Sequence, residues 1–433
     1  MKFNFGDKIK IILKSDEELG GLFVPSTNNK FIMIKLDSGY NQTIKLDTIK
    51  STELLEEHID KVKKAKEISQ DKSLPLIMLL HVGGTIASKV DYSTGGVSAQ
   101  IEPGDLIELI PELAKIARVE TTVLFNVLSG NIRFEHYNLL AKKIIELLDK
   151  KIAGIIISHG TDTLHYSSAA LSFILQNVKI PVVFVGSQRS SDRPSSDSSM
   201  NLICAAKFIT DQVSRNKPLT GVFASMHSTS NDDFCSIYSG LNLRKLHASR
   251  RDAFKQINSL PLAKVYSSGK IEYSIIKNIE EISPLFEPTF FRSDIKVGIL
   301  RAHPNMFAEE LSSYAGFDGL IIEGTGLGNL PVENNDKICA ENKKILTTLG
   351  EITKKIPVVV STQCINGSTN LNVYSYGRLV KRAGVLEAKS IITETAFIKL
   401  GWLLSNFSKD EIKELWERNF VGEIISRNLY EKE

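Results

Sequence analysis

Residues 74–88 read LPLIMLLHVGGTIAS: a continuous apolar run, then two glycines and a threonine. A short run without polar alternation suits a strand covered on both faces, and such strands belong to parallel sheets. TTVLFNV (121–127), AGIIIS (153–158), PVVFVG (181–186) and LTGVFAS (219–225) read the same way. Amphipathic stretches lie between them. In FEHYNLLAKKIIELLDK (134–150), Tyr137, Leu140, Ile144, Leu147 and Leu148 fall on one helical face. The alternation of strand, loop and helix predicts an α/β fold, a parallel sheet with helices on both faces.

The rhythm breaks over about 258–294 and resumes with KVGILR (296–301), FDGLIIEG (317–324) and PVVVST (357–362). That places one α/β domain at 74–285 and a second, smaller one at 295–433. No internal repeat or low-complexity tract occurs. Ahead of them, KIKIILK (8–14), GGLFVPS (20–26), KFIMIKL (30–36) and QTIKLD (42–47) are short β-rich runs. Asp37-Ser38-Gly39 reads as a tight turn between two of them. Residues 1–55 are therefore expected to form a small SH3-like β-barrel, followed by a linker over 56–73. The stretch STELLEEHIDKVKKAKEISQDKS (51–73) is rich in Lys and Glu and lacks Gly and Pro, which predicts a helical connector.

Bulk composition narrows the function. At roughly 100–200 residues per domain, 433 residues suggest two to four units, in line with this division. A net charge of +3 is too mild for nucleic-acid binding by the general surface. Cys204, Cys235, Cys339 and Cys364 form no C-x-x-C pair and no zinc spacing, which suggests a reducing compartment and thiols that serve as small buried residues. The N-terminus has no secretory pattern, and the longest apolar run, LPLIMLLHV, is about half of what a membrane-spanning helix needs. A cytoplasmic protein without membrane association is expected.

Ligands of parallel sheets gather beyond the carboxyl ends of the strands. Gly83 and Gly84 let the backbone turn and a substrate approach, and Thr85 stands at the rim. Taken alone, Gly-Gly-Thr after a strand is more often a plain turn. A second strand end, AGIIISHGTDT (153–163), repeats the pattern with His159, Gly160, Thr161, Asp162 and Thr163. Asp162 and Thr163 also suit a helix start, so capping competes with chemistry there. A threonine hydroxyl becomes an acyl-transfer nucleophile if a neighbour removes its proton. SGLNLRKLHASRRDAF (239–254) offers Arg244, Lys245, Arg250 and Arg251 in an expected loop, although a basic run is usually a solvated face.

GGTIAS (83–88), SHGTDT (158–163) and the Lys245 segment, in that order, resemble the L-asparaginase/glutaminase family, type I-like, over nearly all of 74–433. VPSTNNKFIMIKLDSGYN (24–41), RKLHASRRDAF (244–254) and NVYSYGRLVKRAGV (372–385) are similar to the archaeal tRNA-dependent amidotransferase branch of that family. The resemblance implies an asparaginase-like two-domain fold and amide hydrolysis. Thr85 would be the nucleophile, with Thr161, Asp162 and Lys245 as its catalytic partners; which threonine attacks first stays open. Gly84, Ser129, Gly160 and Asp162 would bind substrate, Ser129 through its carboxylate and Asp162 through its α-amino group. His159 is read as structural.

The same resemblance implies glutamine or asparagine as amide donor. Ammonia would pass to the amidotransferase E subunit, which converts Glu-tRNA(Gln) to Gln-tRNA(Gln). ATP and Mg²⁺ would belong to that partner, with no cofactor in this chain; the lack of a G-x-x-x-x-G-K-[ST] loop agrees. A homodimer core within a heterotetramer is also implied. In the loop DYSTGGVSA (91–99), Tyr92 and Thr94 compete for the place of a family tyrosine. EGTGLGNLP (323–331) puts Leu327 where secreted asparaginases carry a cross-subunit asparagine. The alternatives are a free-standing cytoplasmic L-asparaginase with an added barrel, and a binding scaffold with a dead site.

Overall fold

A computed structural model describes residues 3–58 apart from 27, 29, 38 and 39, then 70–84, 88–91, 96–99, 110–189, 195–274 and 282–428 apart from 283, 286 and 427. At the front, β1 (Lys8–Leu13), β2 (Glu18–Val24), β3 (Phe31–Lys35), β4 (Asn41–Lys45) and β5 (Ile49–Glu56) form an antiparallel sheet in the order β4-β3-β2-β1-β5. Its core is the inward set of alternating isoleucines, Ile9, Ile11, Ile32, Ile34 and Ile44. The turn at Asp37-Ser38-Gly39 falls partly outside the described residues.

The helical expectation for 51–73 fails at its beginning. Residues 51–56 belong to β5 and pair with β1, Thr52 opposite Ile11 and Ser51 opposite Ile12. Every side chain of β5 after Ile49 is exposed. The strand is held by backbone hydrogen bonds rather than burial, so no apolar alternation marks it. Residues 59–69 of the connector lie outside the described residues.

The larger sheet combines β6 (Leu76–His81), β9 (Arg118–Val123), β10 (Gly154–Ser158), β11 (Pro181–Val185), β12 (Gly221–His227), β13 (Phe234–Ser239), β16 (Ala263–Tyr266) and β17 (Ile271–Tyr273). Their order is β17-β16-β13-β12-β11-β10-β6-β9. The run from β9 to β12 is parallel, whereas β13, β16 and β17 are antiparallel additions. The segment expected to interrupt the fold over 258–294 therefore supplies two of the sheet's strands. β9 takes in only the start of the apolar run TTVLFNV and ends at Val123, beyond which the amides of Leu124 and Val127 bond the carbonyls of His81 and Val82.

Both faces of the parallel part are buried. Ile155 and Ile157 of β10 face the helices Phe134–Leu148 and Leu164–Ile174, while Ile156 faces the helix Ser198–Ser214. Tyr137, Leu140, Ile144 and Leu147 join the first of these cores; Leu148, at the end of the helix, is 39% exposed. Two small hairpins stand apart from the sheet: β7 (Ser88–Asp91) with β8 (Gly96–Ala99), and β14 (Leu243–Lys245) with β15 (Phe254–Gln256).

The second α/β domain is a parallel sheet of β18 (Val297–Arg301), β19 (Gly319–Gly324), β20 (Val358–Thr362) and β21 (Leu386–Glu387). Its helix Thr393–Asn406 packs on the helix Leu164–Ile174 of the first domain, where Phe173 stacks on Trp402 at 5.4 Å. The two domains thus share one apolar core. Lys399 and Glu423 form a wholly buried ion pair at 2.8 Å. The Lys399 ammonium also donates to the carbonyls of Trp416 and Arg418, and Glu423 accepts from the amides of Phe420 and Val421. With every valence satisfied, the buried charges are tolerated, and they lock the segment around residue 423 onto that helix. Among the described residues, no helix is long and apolar enough to cross a membrane.

Candidate active site

Three loops meet at the carboxyl ends of β6 and β10. Gly83 and Gly84 both take positive φ, 115° and 95°. A Cβ on Gly83 would sit 2.1 Å from the carbonyl oxygen of Val127, and one on Gly84 would sit 2.4 Å from the amide nitrogen of Gly160. Only glycine allows the two strand ends to touch in this way. Thr85, the next residue, lies outside the described residues, as do Tyr92 and Thr94.

After β10 the backbone passes through Gly160 into a 3₁₀ turn, Thr161–Thr163, and then the helix Leu164–Ile174. Asp162 does not cap that helix, which has no side-chain cap. Its Oδ1 instead accepts a hydrogen bond from Lys245 Nζ at 2.8 Å. The same ammonium donates to Thr161 Oγ1 at 2.9 Å. Lys245 is only 10% exposed while Asp162 is 77% exposed, so the amine is sunk between the two and the carboxylate looks outward. Lys245 comes from a paired strand, β14, not from the expected loop. Leu243 buries its side chain in the shared core and so fixes the strand.

Because Thr161 Oγ1 accepts from Lys245, its own proton must point elsewhere. Gln188 Oε1 is 3.5 Å away, a weak acceptor at best. That hydroxyl proton is therefore available to a reacting group. Ser129, 5% exposed, lies against the backbone of Gly160, where a Cβ would meet its Oγ at 2.7 Å. Thr163 Oγ1 donates to the Ser129 carbonyl at 2.7 Å and ties the two loops together. The structure thus brings Gly84, Ser129, Gly160, Thr161, Asp162 and Lys245 to one place.

Buried histidines lie beneath this cluster. His159 Nδ1 donates to the Gly160 carbonyl at 2.6 Å, which fixes its tautomer, and burial pulls its pKa down to about 4. His81 Nδ1 bonds Ser158 Oγ at 2.6 Å, and burial again lowers its pKa to about 4. His165 is pushed to about 3, by burial first and then by the cations of Arg244 and Lys245. All three imidazoles are neutral, and the structural reading of His159 fits its bond to a neighbouring carbonyl.

Sequence reasoning did not find Gln188 or its support. The buried Asp197 carboxylate accepts from Ser187 Oγ at 2.8 Å, from the amides of Gln188 at 3.1 Å and Arg189 at 3.0 Å, and from Asn201 Nδ2 at 3.2 Å. This anchors the loop after β11 and aims Gln188 at Thr161. The signal was available: SQR follows PVVFVG as another polar cluster after an apolar run. Of the cysteines, Cys204 and Cys235 are buried as expected, whereas Cys339 is half-buried and Cys364 exposed. Among the described residues, no group of three or more His, Cys, Asp or Glu could hold a metal ion.

Three family models match the chain: GatD N-terminal domain over residues 3–55, Asparaginase, N-terminal over 76–277, and Glutaminase/Asparaginase C-terminal domain over 296–416. The glutamyl-tRNA(Gln) amidotransferase D subunit of Thermococcus kodakarensis is 37% identical, across 97% of this chain and 94% of its own. That of Methanococcus maripaludis is 38% identical, across 97% of this chain and 98% of its own. The chain belongs to the D-subunit family of glutamyl-tRNA(Gln) amidotransferases.

This D-subunit family shares its two α/β domains with asparaginases. The thermostable L-asparaginase from Thermococcus kodakarensis superposes with a TM-score of 0.68 at 30% identity, covering 81% of this chain and 99% of that one. A probable cytoplasmic L-asparaginase from Campylobacter jejuni, at 24% identity and a TM-score of 0.62, shares the fold. In the present family member, Leu327 lines a crevice at the carboxyl ends of β19 and β20, with Thr325, Asn329, Thr362 and Cys364.

Proposed function

We propose that this chain is the glutaminase component of a tRNA-dependent amidotransferase, taking glutamine, with asparagine as the alternative donor. The observation that carries the reading is Lys245 bridging Thr161 and Asp162 from 84 and 83 residues away, where two glycine-bearing strand ends meet. Thr85 Oγ attacks the side-chain amide carbon. The Thr85 O–H and the amide C–N bonds break, an ester to Thr85 forms, and the departing nitrogen takes the proton that Thr85 gives up and leaves as ammonia. Water then cleaves the ester, giving glutamate and restoring the threonine.

The chain's own residues manage the protons and the charge. The Thr161 hydroxyl relays a proton at the reacting atoms, and Lys245 balances the charge that develops there. Asp162 holds the ammonium of Lys245 and, being open to solvent, can also take the substrate's α-amino group. Ser129 receives the substrate carboxylate. Gly84 and Gly160 let backbone amides approach the oxyanion.

The ammonia would go to a partner, the amidotransferase E subunit, for conversion of Glu-tRNA(Gln) to Gln-tRNA(Gln) in the cytoplasm. ATP and Mg²⁺ are assigned to that partner, and this chain to the homodimer core of a heterotetramer. The match to an amidotransferase front domain over 3–55 favours this reading over a free-standing asparaginase. The asparaginase reading draws on the structural likeness over 81% of the chain.

Glutamine hydrolysis should be slow for the chain alone and rise sharply when the E subunit and charged tRNA are added. Equal turnover with and without them would favour the asparaginase. Thr85→Ala should abolish hydrolysis in a protein that still folds; retained activity would remove Thr85 as nucleophile.

A further inference from the structure

The sheet that presents Thr161 and Asp162 does not present Lys245. The lysine ends a strand of 3 residues, β14, whose partner strand among the described residues is β15. Besides its pairing with β15 and the burial of Leu243, the second α/β domain holds this strand. Asn242, 1% exposed and at φ 51°, enters it. Its amide donates to Thr395 Oγ1 at 3.1 Å, its Oδ1 accepts from the Ile392 amide at 3.2 Å, and its Nδ2 donates to the Glu423 carbonyl at 3.0 Å. Arg244 makes a two-pronged bond to Glu394, Nε to Oε1 at 2.9 Å and Nη2 to Oε2 at 2.8 Å. The two side chains are 14% and 15% exposed. Such a pair, largely out of water, fixes direction as well as distance.

We propose that Glu394 and Asn242 are positioning residues for Lys245, so that the second domain sets where the catalytic amine of the first domain stands. The inference rests on the reading that Lys245 takes part in catalysis. Neighbouring strand residues point to opposite faces, so holding Arg244 on one side fixes the origin of the Lys245 stem on the other. That stem is flexible, and an unanchored amine would wander from Thr161. Glu394 is itself backed by its neighbour. Thr393 Oγ1 donates to Glu323 Oε1 at 2.8 Å and bonds Ser361 Oγ at 2.8 Å, at the ends of β19 and β20. Hydrogen bonds on the successive residues Thr393 and Glu394 therefore tie this helix start both to the strand ends of the second sheet and to the strand of Lys245.

The test uses the full chain with glutamine, measuring kcat and KM across pH together with thermal unfolding. Glu394→Gln, Arg244→Lys and Asn242→Ala should lower kcat by about 10- to 100-fold, as misplacement by an ångström does. KM should stay within roughly threefold, because the substrate contacts are intact. The pH profile of kcat should shift, and the exchanged pair Arg244→Glu with Glu394→Arg should recover part of the loss. Lys245→Met serves as the reference. If it is inactive while folded Glu394→Gln and Arg244→Lys keep the wild-type kcat and pH profile, the positioning role is refuted. Activity that falls only in step with the unfolded fraction refutes it as well. If Lys245→Met itself keeps the wild-type kcat, the reading of the site fails first and this inference with it.

Discussion

At the end of β10 the first α/β domain sets Thr161 and Asp162 against the Lys245 amine. At the ends of β19 and β20 the second domain sets Thr325, Leu327, Asn329, Thr362 and Cys364 around a crevice whose described lining carries no charged side chain. Both places have parallel strands, glycine turns at positive φ and hydroxyl residues. What separates them is a cation brought in from outside the sheet. Parallel strand ends provide room and hydrogen-bonding groups; here a distant hairpin adds an amine to them.

The comparison can be broken most directly by removing that amine. Lys245→Met should cost about 10²–10⁴ in kcat, the usual scale of proton-transfer catalysis. Thr362→Val, in the other crevice, should leave the rate of the isolated chain within about twofold. Steady-state glutamine hydrolysis checks both, and equal losses would erase the distinction.

Acid should separate the domains next. His81, His159 and His165 are buried, neutral and held at about 4, 4 and 3, whereas their unfolded counterparts titrate near 6.5. Between these values the unfolded chain binds more protons, so their contribution is complete above about pH 6.5 and drains away as pH falls toward 4. The loss is on the order of 3 kcal/mol each for His81 and His159 and about 5 kcal/mol for His165 at full protonation. His303 of the second domain is exposed, and its pKa is raised by the Pro304 carbonyl and then by Glu310, so its small effect runs the other way. Hydrogen exchange at pH 7 and pH 4.5 should show the strands around β10 loosening before those around β19. His159→Gln should flatten the pH dependence of the unfolding midpoint.

The smallest expected effect concerns two glycines. Gly160→Ala would press a methyl onto Ser129 Oγ at 2.7 Å and crowd the substrate's approach. Its glutamine KM should rise about tenfold, a scale comparable to losing a few contacts. Gly350, inside the helix Ala340–Thr353, has nothing within 4 Å of an added Cβ. Gly350→Ala should stabilise the second domain by about 0.5–1 kcal/mol without touching activity. Unfolding curves and KM together tell the two apart.

The parallel frame was legible because strands buried on both faces must be continuously apolar: LIMLLH and GIIIS could hardly be anything else. The site motifs were legible because glycine and threonine stand where those runs stop. What stayed hidden has no local cause. β14 is recognisable only through its partners, since Leu243, Arg244 and Lys245 each answer to a different distant neighbour. β5 is exposed along nearly its whole length and carries no period. Gln188 owes its aim to Asp197, and the spacing of the two says nothing about the direction of a side chain.

The bond from Asn242 to the Glu423 carbonyl spans 181 positions. During synthesis, the ribosome must therefore add 150 residues beyond Asn242 before its first anchor, Ile392, exists, and 181 before its last. A chain cut after β17 would lose the anchor of its amine together with the half of the shared core that Trp402 and its neighbours supply. On the mechanism proposed above, order of translation and order of activation are linked, because the site around Lys245 is complete only once the second half has arrived.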